Sequence, residues 1–123
     1  MTEVSESEMM RVLVVGAGEL GGRVVKQLRK NSGIVVLVAD YRDRPSAVER
    51  GIIDKVDILE HITPMNIVEV VKGCEPDIIF LARKAKDWGH GDTVMAAQFI
   101  AGLEKQLSEF HVPVIPVSSI VRF

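Results

Sequence analysis

The sequence has little of what several classes of protein require. Its single cysteine, Cys74, excludes an intramolecular disulfide and fits a reducing cytosol. Its longest apolar runs fall far short of the ~20 residues that cross a bilayer. Charge of one sign is not in excess either, because the net charge at pH 7 is −2. We therefore expect a cytoplasmic protein with no direct membrane insertion and no nucleic-acid partner.

Aromatic residues are also scarce, at 5%, whereas hydrophobic residues as a whole make up 47% of the chain. This balance is typical of an aliphatic parallel sheet. The length of 123 residues predicts one domain. Residues 1–10 are acidic and lack the basic and apolar regions of a signal peptide, so they are interpreted as a flexible N-terminal extension before a domain over 11–123. No Cys, His and carboxylate spacing predicts a metal site.

Three glycines follow the β-branched run 11–15 in the pattern Gly16-x-Gly18-x-x-Gly21. Gly16 permits a tight turn after a strand, Gly18 lets the backbone approach a diphosphate, and Gly21 lets the next helix pack close to the strand. The amides at the start of that helix would face the anion. The predicted cofactor contacts of this loop are Gly16, Ala17, Gly18, Glu19, Leu20 and Gly21.

A second apolar run over 34–39 has no polar alternation, as expected for a strand covered on both faces. It ends in Asp40, nineteen residues after Gly21, where a carboxylate can accept hydrogen bonds from the adenosine ribose. The next residue, Tyr41, is a candidate for covering one face of the adenine. The alternatives are a glycine-rich loop of another α/β protein, with Asp40 an ordinary strand-end residue, or a site for S-adenosylmethionine.

The residues after the second strand also affect the choice of cofactor. A carboxylate at Asp40 favours NAD(H), because it would repel a 2′-phosphate. NADP(H) stays possible, since Arg42 and Arg44 could clamp that phosphate. The arginines could instead be solvated or pair with Asp43 and Glu49.

The remaining pattern alternates strands and helices, which predicts a Rossmann-like, doubly wound α/β fold with about five parallel strands in the order 3-2-1-4-5. Its ligand crevice would lie beyond the first and fourth strands, so Ala82, Arg83 and Lys84 are further candidate cofactor contacts. The loop 83–91 holds His90, which could transfer protons or be part of a solvated connection; no catalytic residue is assigned. Strands are predicted around 55–59, 77–82 and 112–117, and helices over 45–51, 63–73 and 92–110.

The chain resembles the NAD(P)-binding Rossmann-fold superfamily over nearly all of 11–123. Its V-V-G-A-G-E-L-G segment, its strand-end Asp40 and its V-P-V-I segment are similar to the nucleotide-binding lobe of potassium-transport regulators of the KTN or RCK type. That resemblance implies ligand-gated regulation of a transporter. The segment from Asp77 to Ala82 looks like the fourth strand in the cofactor half of malate- and saccharopine-type dehydrogenases, which implies a fold and a cofactor without a reaction.

Two functions follow from these patterns. One is a nucleotide-sensing or regulatory module that binds NAD(H) and biases assembly with a partner. The other is a small or partial NAD(P)-dependent oxidoreductase that completes its active site by oligomerising or with a partner chain. Both make a homodimer or a partner protein an expected part of the biology.

Overall fold

The computed structural model describes residues 9–82 and 93–117. Strands and helices alternate along this part of the chain, and the strands form one parallel sheet in the order β3-β2-β1-β4-β5. The predicted Rossmann-like fold class and strand order are therefore confirmed. The elements are β1 Met10–Val15, α1 Glu19–Leu28, β2 Ile34–Asp40, α2 Ser46–Glu49, β3 Ile58–Leu59, α3 Ile67–Cys74, β4 Ile78–Leu81, α4 Thr93–Gln106 and β5 Val114–Pro116.

Both faces of the sheet are covered, which explains the unbroken apolar runs of the inner strands. In β1, Val12 and Val14 pack with α1 and α2 on one face, while Leu13 and Val15 pack with α3 and α4 on the other. All four side chains are buried. Because alternate residues of a strand point to opposite faces, a strand with helices on both sides needs apolar residues at every position.

Strand β3 is shorter than the predicted strand around 55–59. Its residues pair with Ala39 and Asp40 at the end of β2. Just before it, the carboxylate of Asp57 accepts a hydrogen bond of 2.8 Å from the amide of Val38, and the amide of Asp57 donates to the carbonyl of Val38 at 2.9 Å. The Asp57 carboxylate therefore accepts the hydrogen bond that a backbone carbonyl would accept in a regular ladder, so the regular pairing of β2 with β3 does not extend before Ile58.

The helix predicted to start with Thr63 as its N-cap begins later, at Ile67, and its N-cap is Asn66. The hydroxyl of Thr63 accepts from the amide of Met65 at 3.1 Å, and the side-chain oxygen of Asn66 accepts from the amide of Thr63 at 2.8 Å. These reciprocal bonds close the turn 63–66 that precedes the helix. Helix α3 follows this turn directly, because Asn66 is both its last residue and the N-cap of the helix.

Helix α3 ends one residue beyond the predicted Gly73, and its last carbonyl is held by the side chain of Arg11 in β1. The carbonyl of Cys74 accepts two hydrogen bonds from the guanidinium of Arg11, at 2.9 and 2.7 Å, while Asp77 accepts from the Arg11 amide at 2.8 Å. The following residue, Glu75, adopts the left-handed conformation with φ of 49°. This is the helix-ending geometry that glycine adopts without strain.

Replacing Glu75 with glycine should therefore stabilise the protein. The left-handed conformation costs a residue with a Cβ about 1–2 kcal/mol, and the entropy that glycine adds to the unfolded chain removes part of that gain. We expect Glu75→Gly to raise the free energy of unfolding by about 0.5–1 kcal/mol. Urea denaturation measures this as a higher midpoint at an unchanged slope; a lower midpoint would contradict the assigned strain.

The two ends of the domain also differ from the predictions. Met10, predicted to lie in the extension, is the first residue of β1, and its amide donates to the carbonyl of Gly33 at 3.0 Å. At the other end, α4 stops at Gln106, before the predicted 110. Strand β5 is an outer strand, as Pro116 predicted, because a residue without an N–H suits a sheet edge.

Candidate functional site

The glycine loop lies where the order of the strands reverses, beside the end of β4. Strand β1 has β2 on one side and β4 on the other. The amide of Gly16 donates to the carbonyl of Ala39 at 2.7 Å, and the amide of Ala82 donates to the carbonyl of Val15 at 2.9 Å. In open parallel sheets, ligands bind at such a switch point, outside the carboxyl ends of the strands.

Two of the loop glycines are required by the local geometry. Gly16 has φ of 106°, a conformation that side chains with a Cβ rarely adopt. A Cβ on Gly21 would overlap the carbonyl oxygen of Gly16 and lie 2.6 Å from the carbonyl carbon of Gly16. The same Cβ would lie 3.8 Å from the Cβ of Ala82. Helix α1 can therefore start directly against the end of β1 only because residue 21 has no side chain.

The first turn of α1 presents backbone amides without a side-chain cap. Its N-cap, Gly18, is extended with φ of −77° and makes no side-chain capping bond. Glu19 is about half-exposed and its carboxylate accepts a hydrogen bond of 3.0 Å from Arg23. Leu20 is buried in the core, so it would contribute only its amide to a ligand. Uncapped amides at a helix start are the groups that bind phosphate in this architecture.

Asp40 is fully buried and each of its carboxylate oxygens accepts two hydrogen bonds. Oδ2 accepts from the Ala17 amide at 2.8 Å and from Arg42 Nη2 at 3.0 Å. Oδ1 accepts from the Arg42 amide at 2.9 Å and from Arg42 Nε at 3.0 Å. An ionised carboxylate offers about four acceptor positions. The residue that sequence analysis assigned to the ribose thus ties the glycine loop to the end of β2.

These contacts also set the charge of Asp40. Burial by itself raises the pKa of the carboxyl group, but the hydrogen bond from the Arg42 side chain, the bonds from the amides of Ala17 and Arg42, and the positive charge of Arg42 outweigh it. The pKa is therefore lower than its ordinary value, and the group is ionised at neutral pH. The pair of Asp40 and Arg42 has no net charge.

The half-exposed ring of Tyr41 lies beside this pair, against the guanidinium of Arg42. The guanidinium carbon of Arg42 lies 5.1 Å from the centre of the Tyr41 ring, a cation–π distance. The ring of His61 meets Tyr41 edge-on, with 5.8 Å between ring centres. Arg42 also lies close to the glycine loop, because a methyl group on Gly18 would be 3.7 Å from Arg42 Nη2. The predicted residues of the adenosine end are thus brought together.

Three residues that no sequence pattern assigned to the site also shape this region. His61 reaches Tyr41 only through the pairing of β2 with β3, which no local pattern reveals. Helix α2 supports the loop, since the amide of Ala47 donates to the carbonyl of Ala17 at 2.9 Å. A Cβ on Gly22 would lie 3.3 Å from the Ala47 Cβ, so Gly22 is needed for close helix packing. A glycine inside a helix pattern was the available signal.

Several other predicted features lie outside the described residues. Among the cofactor candidates these are Arg83 and Lys84, and the loop 83–91 with His90 also belongs to this group. Within 9–82 and 93–117, no group of acidic, histidine and cysteine side chains is arranged to hold a metal ion. Cys74 is buried, and burial raises the pKa of its thiol. No helix in these ranges has the length and apolarity needed to span a membrane.

Comparison with known proteins gives a fold and no family. No protein-family model and no curated protein matches the sequence. The structure is similar to that of a dTDP-glucose 4,6-dehydratase from Bacillus anthracis in complex with NAD, with a TM-score of 0.61 and 14% sequence identity. The match covers 87% of this chain and 36% of the dehydratase, so this chain spans about a third of that protein's length. At this identity the likeness establishes the Rossmann-like fold alone.

Proposed function

We propose that this domain binds a nicotinamide dinucleotide at the carboxyl ends of β1, β2 and β4. The diphosphate would lie against the amides of residues 18–21, and the adenosine would lie toward Tyr41 and Arg42. Ala82 would form the wall on the β4 side, together with Arg83 and Lys84. The observation that carries this proposal is the uncapped start of α1, placed at the sheet's switch point by Gly16 and Gly21.

The similarity to an NAD-bound dehydratase agrees with the proposal, because the shared fold is one in which that protein holds NAD. The role we infer for the binding is nucleotide sensing: the domain would bind NAD(H) or NADP(H) and change its association with a partner, as the resemblance to transport regulators suggests. Such coupling must be reciprocal, so the partner would change the nucleotide affinity by the same factor.

A partial oxidoreductase is the second candidate, and one feature of the sheet favours it. Ile115 lies in the outer strand β5 and is 39% exposed, so apolar surface is available on that side of the sheet. A second subunit or a partner chain packed there would extend the wall of the crevice and supply the substrate pocket. A substrate-dependent change in the absorbance of the reduced nicotinamide would distinguish this activity from sensing.

Calorimetric titration of the protein with NADH and NADPH tests the binding, and Gly18→Ala is the informative variant. Alanine fits the extended backbone of residue 18, and its methyl group would make only ordinary contact with Arg42. The methyl group would, however, keep a diphosphate away from the loop amides. We expect the wild type to bind the dinucleotide and the variant to bind it at least ~10-fold more weakly, which is a loss of about 1.4 kcal/mol in binding free energy.

Thermal unfolding of the same two proteins provides the control. We expect the two proteins to melt at the same temperature without ligand, and only the wild type to be stabilised by the ligand. That result would show that the variant loses affinity at the site and not stability of the fold. Equal affinity of the two proteins for the dinucleotide would remove the glycine loop from the binding site. If neither NADH nor NADPH binds the wild type, the proposed function is refuted.

A further inference from the structure

We propose that Arg42 makes the adenosine end of this site selective for a 2′-phosphate, so that the domain prefers NADP(H) to NAD(H). This inference rests on the proposed function and names the ligand class of that same site. The sequence alone favoured NAD(H), because the negative charge of Asp40 would repel a 2′-phosphate. In the structure that charge is paired with the guanidinium of Arg42, and the preference is reversed.

An adenosine ribose with a free 2′-hydroxyl would have to compete with Arg42 for Asp40. The carboxylate already accepts four hydrogen bonds, two of them from the Arg42 side chain at 3.0 Å. A ribose hydroxyl could be accepted only if the guanidinium moved away from a fully buried carboxylate. Hydrogen bonds between charged partners are the stronger ones, and a neutral hydroxyl replaces them poorly.

A 2′-phosphate meets the opposite situation, because it can use Arg42 where it lies. The guanidinium is a planar, positively charged fork whose Nε and Nη2 donate to Asp40. Its side chain is 42% exposed. It is also held at the glycine loop, 3.7 Å from where a methyl group on Gly18 would be. Since Asp40 orients this fork, the carboxylate acts as a positioning residue for a phosphate-binding arginine.

The electrostatics of the neighbourhood agree with this assignment. The repulsion expected between Asp40 and a 2′-phosphate is offset by the arginine bonded to it, since the pair has no net charge. The nearby Arg44 has a different partner, because its Nε donates to Glu49 at 2.8 Å and its pKa is raised by that carboxylate. Arg42 is thus the arginine placed against the loop, and Arg44 is its natural control.

Titration with two small probes tests the inference directly. Adenosine 5′-monophosphate and adenosine 2′,5′-bisphosphate differ only in the 2′-phosphate, and NADH and NADPH differ in the same way. We expect the bisphosphate to bind the wild type at least ~10-fold more tightly than the monophosphate, with the same order for NADPH over NADH. Arg42→Ala should reduce this ratio to about twofold or less, whereas Arg44→Ala, which removes the same charge two residues away, should preserve it.

Arg42→Lys is a second test variant, in case Arg42→Ala does not fold. Lysine keeps the positive charge beside Asp40 but lacks the planar fork, so we expect a folded protein whose ratio lies between those of the wild type and Arg42→Ala. A wild-type ratio near one, a ratio that Arg42→Ala leaves unchanged, or a ratio lost only in Arg44→Ala would overturn the inference while dinucleotide binding stands. Binding of none of the four ligands would overturn the proposed function as well.

Discussion

Gly21→Ala should destabilise the protein by about 3 kcal/mol or more, the largest effect of any single methyl group that we expect. The added Cβ would overlap the carbonyl oxygen of Gly16 and approach its carbonyl carbon to 2.6 Å. Both are backbone atoms, so no side-chain rotation relieves the overlap. Either α1 must move away from β1 or the turn at Gly16 must change. Urea denaturation would show a midpoint far below that of the wild type.

Two other glycines give a graded control for this result. A Cβ on Gly22 would meet Ile52 Cδ1 at 3.2 Å and the Ala47 Cβ at 3.3 Å, which small side-chain shifts can partly accommodate, so Gly22→Ala should cost less. Gly73 lies in α3, and a Cβ there would meet no atom within 4 Å. Gly73→Ala should therefore stabilise the helix by about 0.5–1 kcal/mol. A Gly21→Ala protein as stable as the wild type would contradict the described packing of α1 on β1.

Asp40→Asn should be the second most damaging substitution, at about 3 kcal/mol. Asparagine keeps the shape of the side chain but loses the charge, and its NH₂ group replaces an oxygen that accepts two hydrogen bonds. The two N–H donors that bonded the replaced oxygen then face the N–H groups of the asparagine amide in a fully buried position. Glu49→Gln is the matched control, since it breaks a carboxylate–arginine pair that is exposed. We expect little change in stability there.

Measuring the unfolding free energies of the wild type and Asp40→Asn as a function of pH shows how much of the effect comes from the charge of residue 40. Because the folded protein lowers the pKa of Asp40, this group adds stability that is fully present above its unfolded pKa of about 4. That contribution is lost as the pH falls through the lower pKa of the folded state. The difference in unfolding free energy between wild type and Asp40→Asn should thus be constant from neutral pH down to about 5 and shrink below about 4. A difference that grows on acidification would contradict an ionised, stabilised Asp40.

The sequence predicts the centre of this fold well because that part is locally encoded. The glycine spacing, the helical period of α1 and the unbroken apolar run of β2 each depend on residues close together in the chain. They correctly predict the loop at the switch point and the strand order. The edge strand β5 is likewise signalled by a single local feature, Pro116.

The remaining features depend on contacts between distant segments. The bonding of Asp57 to Val38, which shortens β3, and the support of Cys74 by Arg11 join residues far apart in the sequence. The ribose assignment of Asp40 came from its position after β2, yet the chain's own Arg42 and Ala17 occupy its acceptor sites. Position in the chain predicts which carboxylate is near the site, but not which groups already bind it.

The most direct test of the binding site follows the backbone amides of ¹⁵N-labelled protein by NMR during titration with NADPH and, separately, NADH. Our account predicts that the largest shifts occur at residues 16–21, 40–42 and 82, where the loop, the end of β2 and the end of β4 meet. The amides of Leu107, Ser108 and His111, which line a surface depression at the opposite end of the sheet, should stay unchanged. Shifts confined to that opposite end, or none at 16–21, would contradict a dinucleotide held on the start of α1.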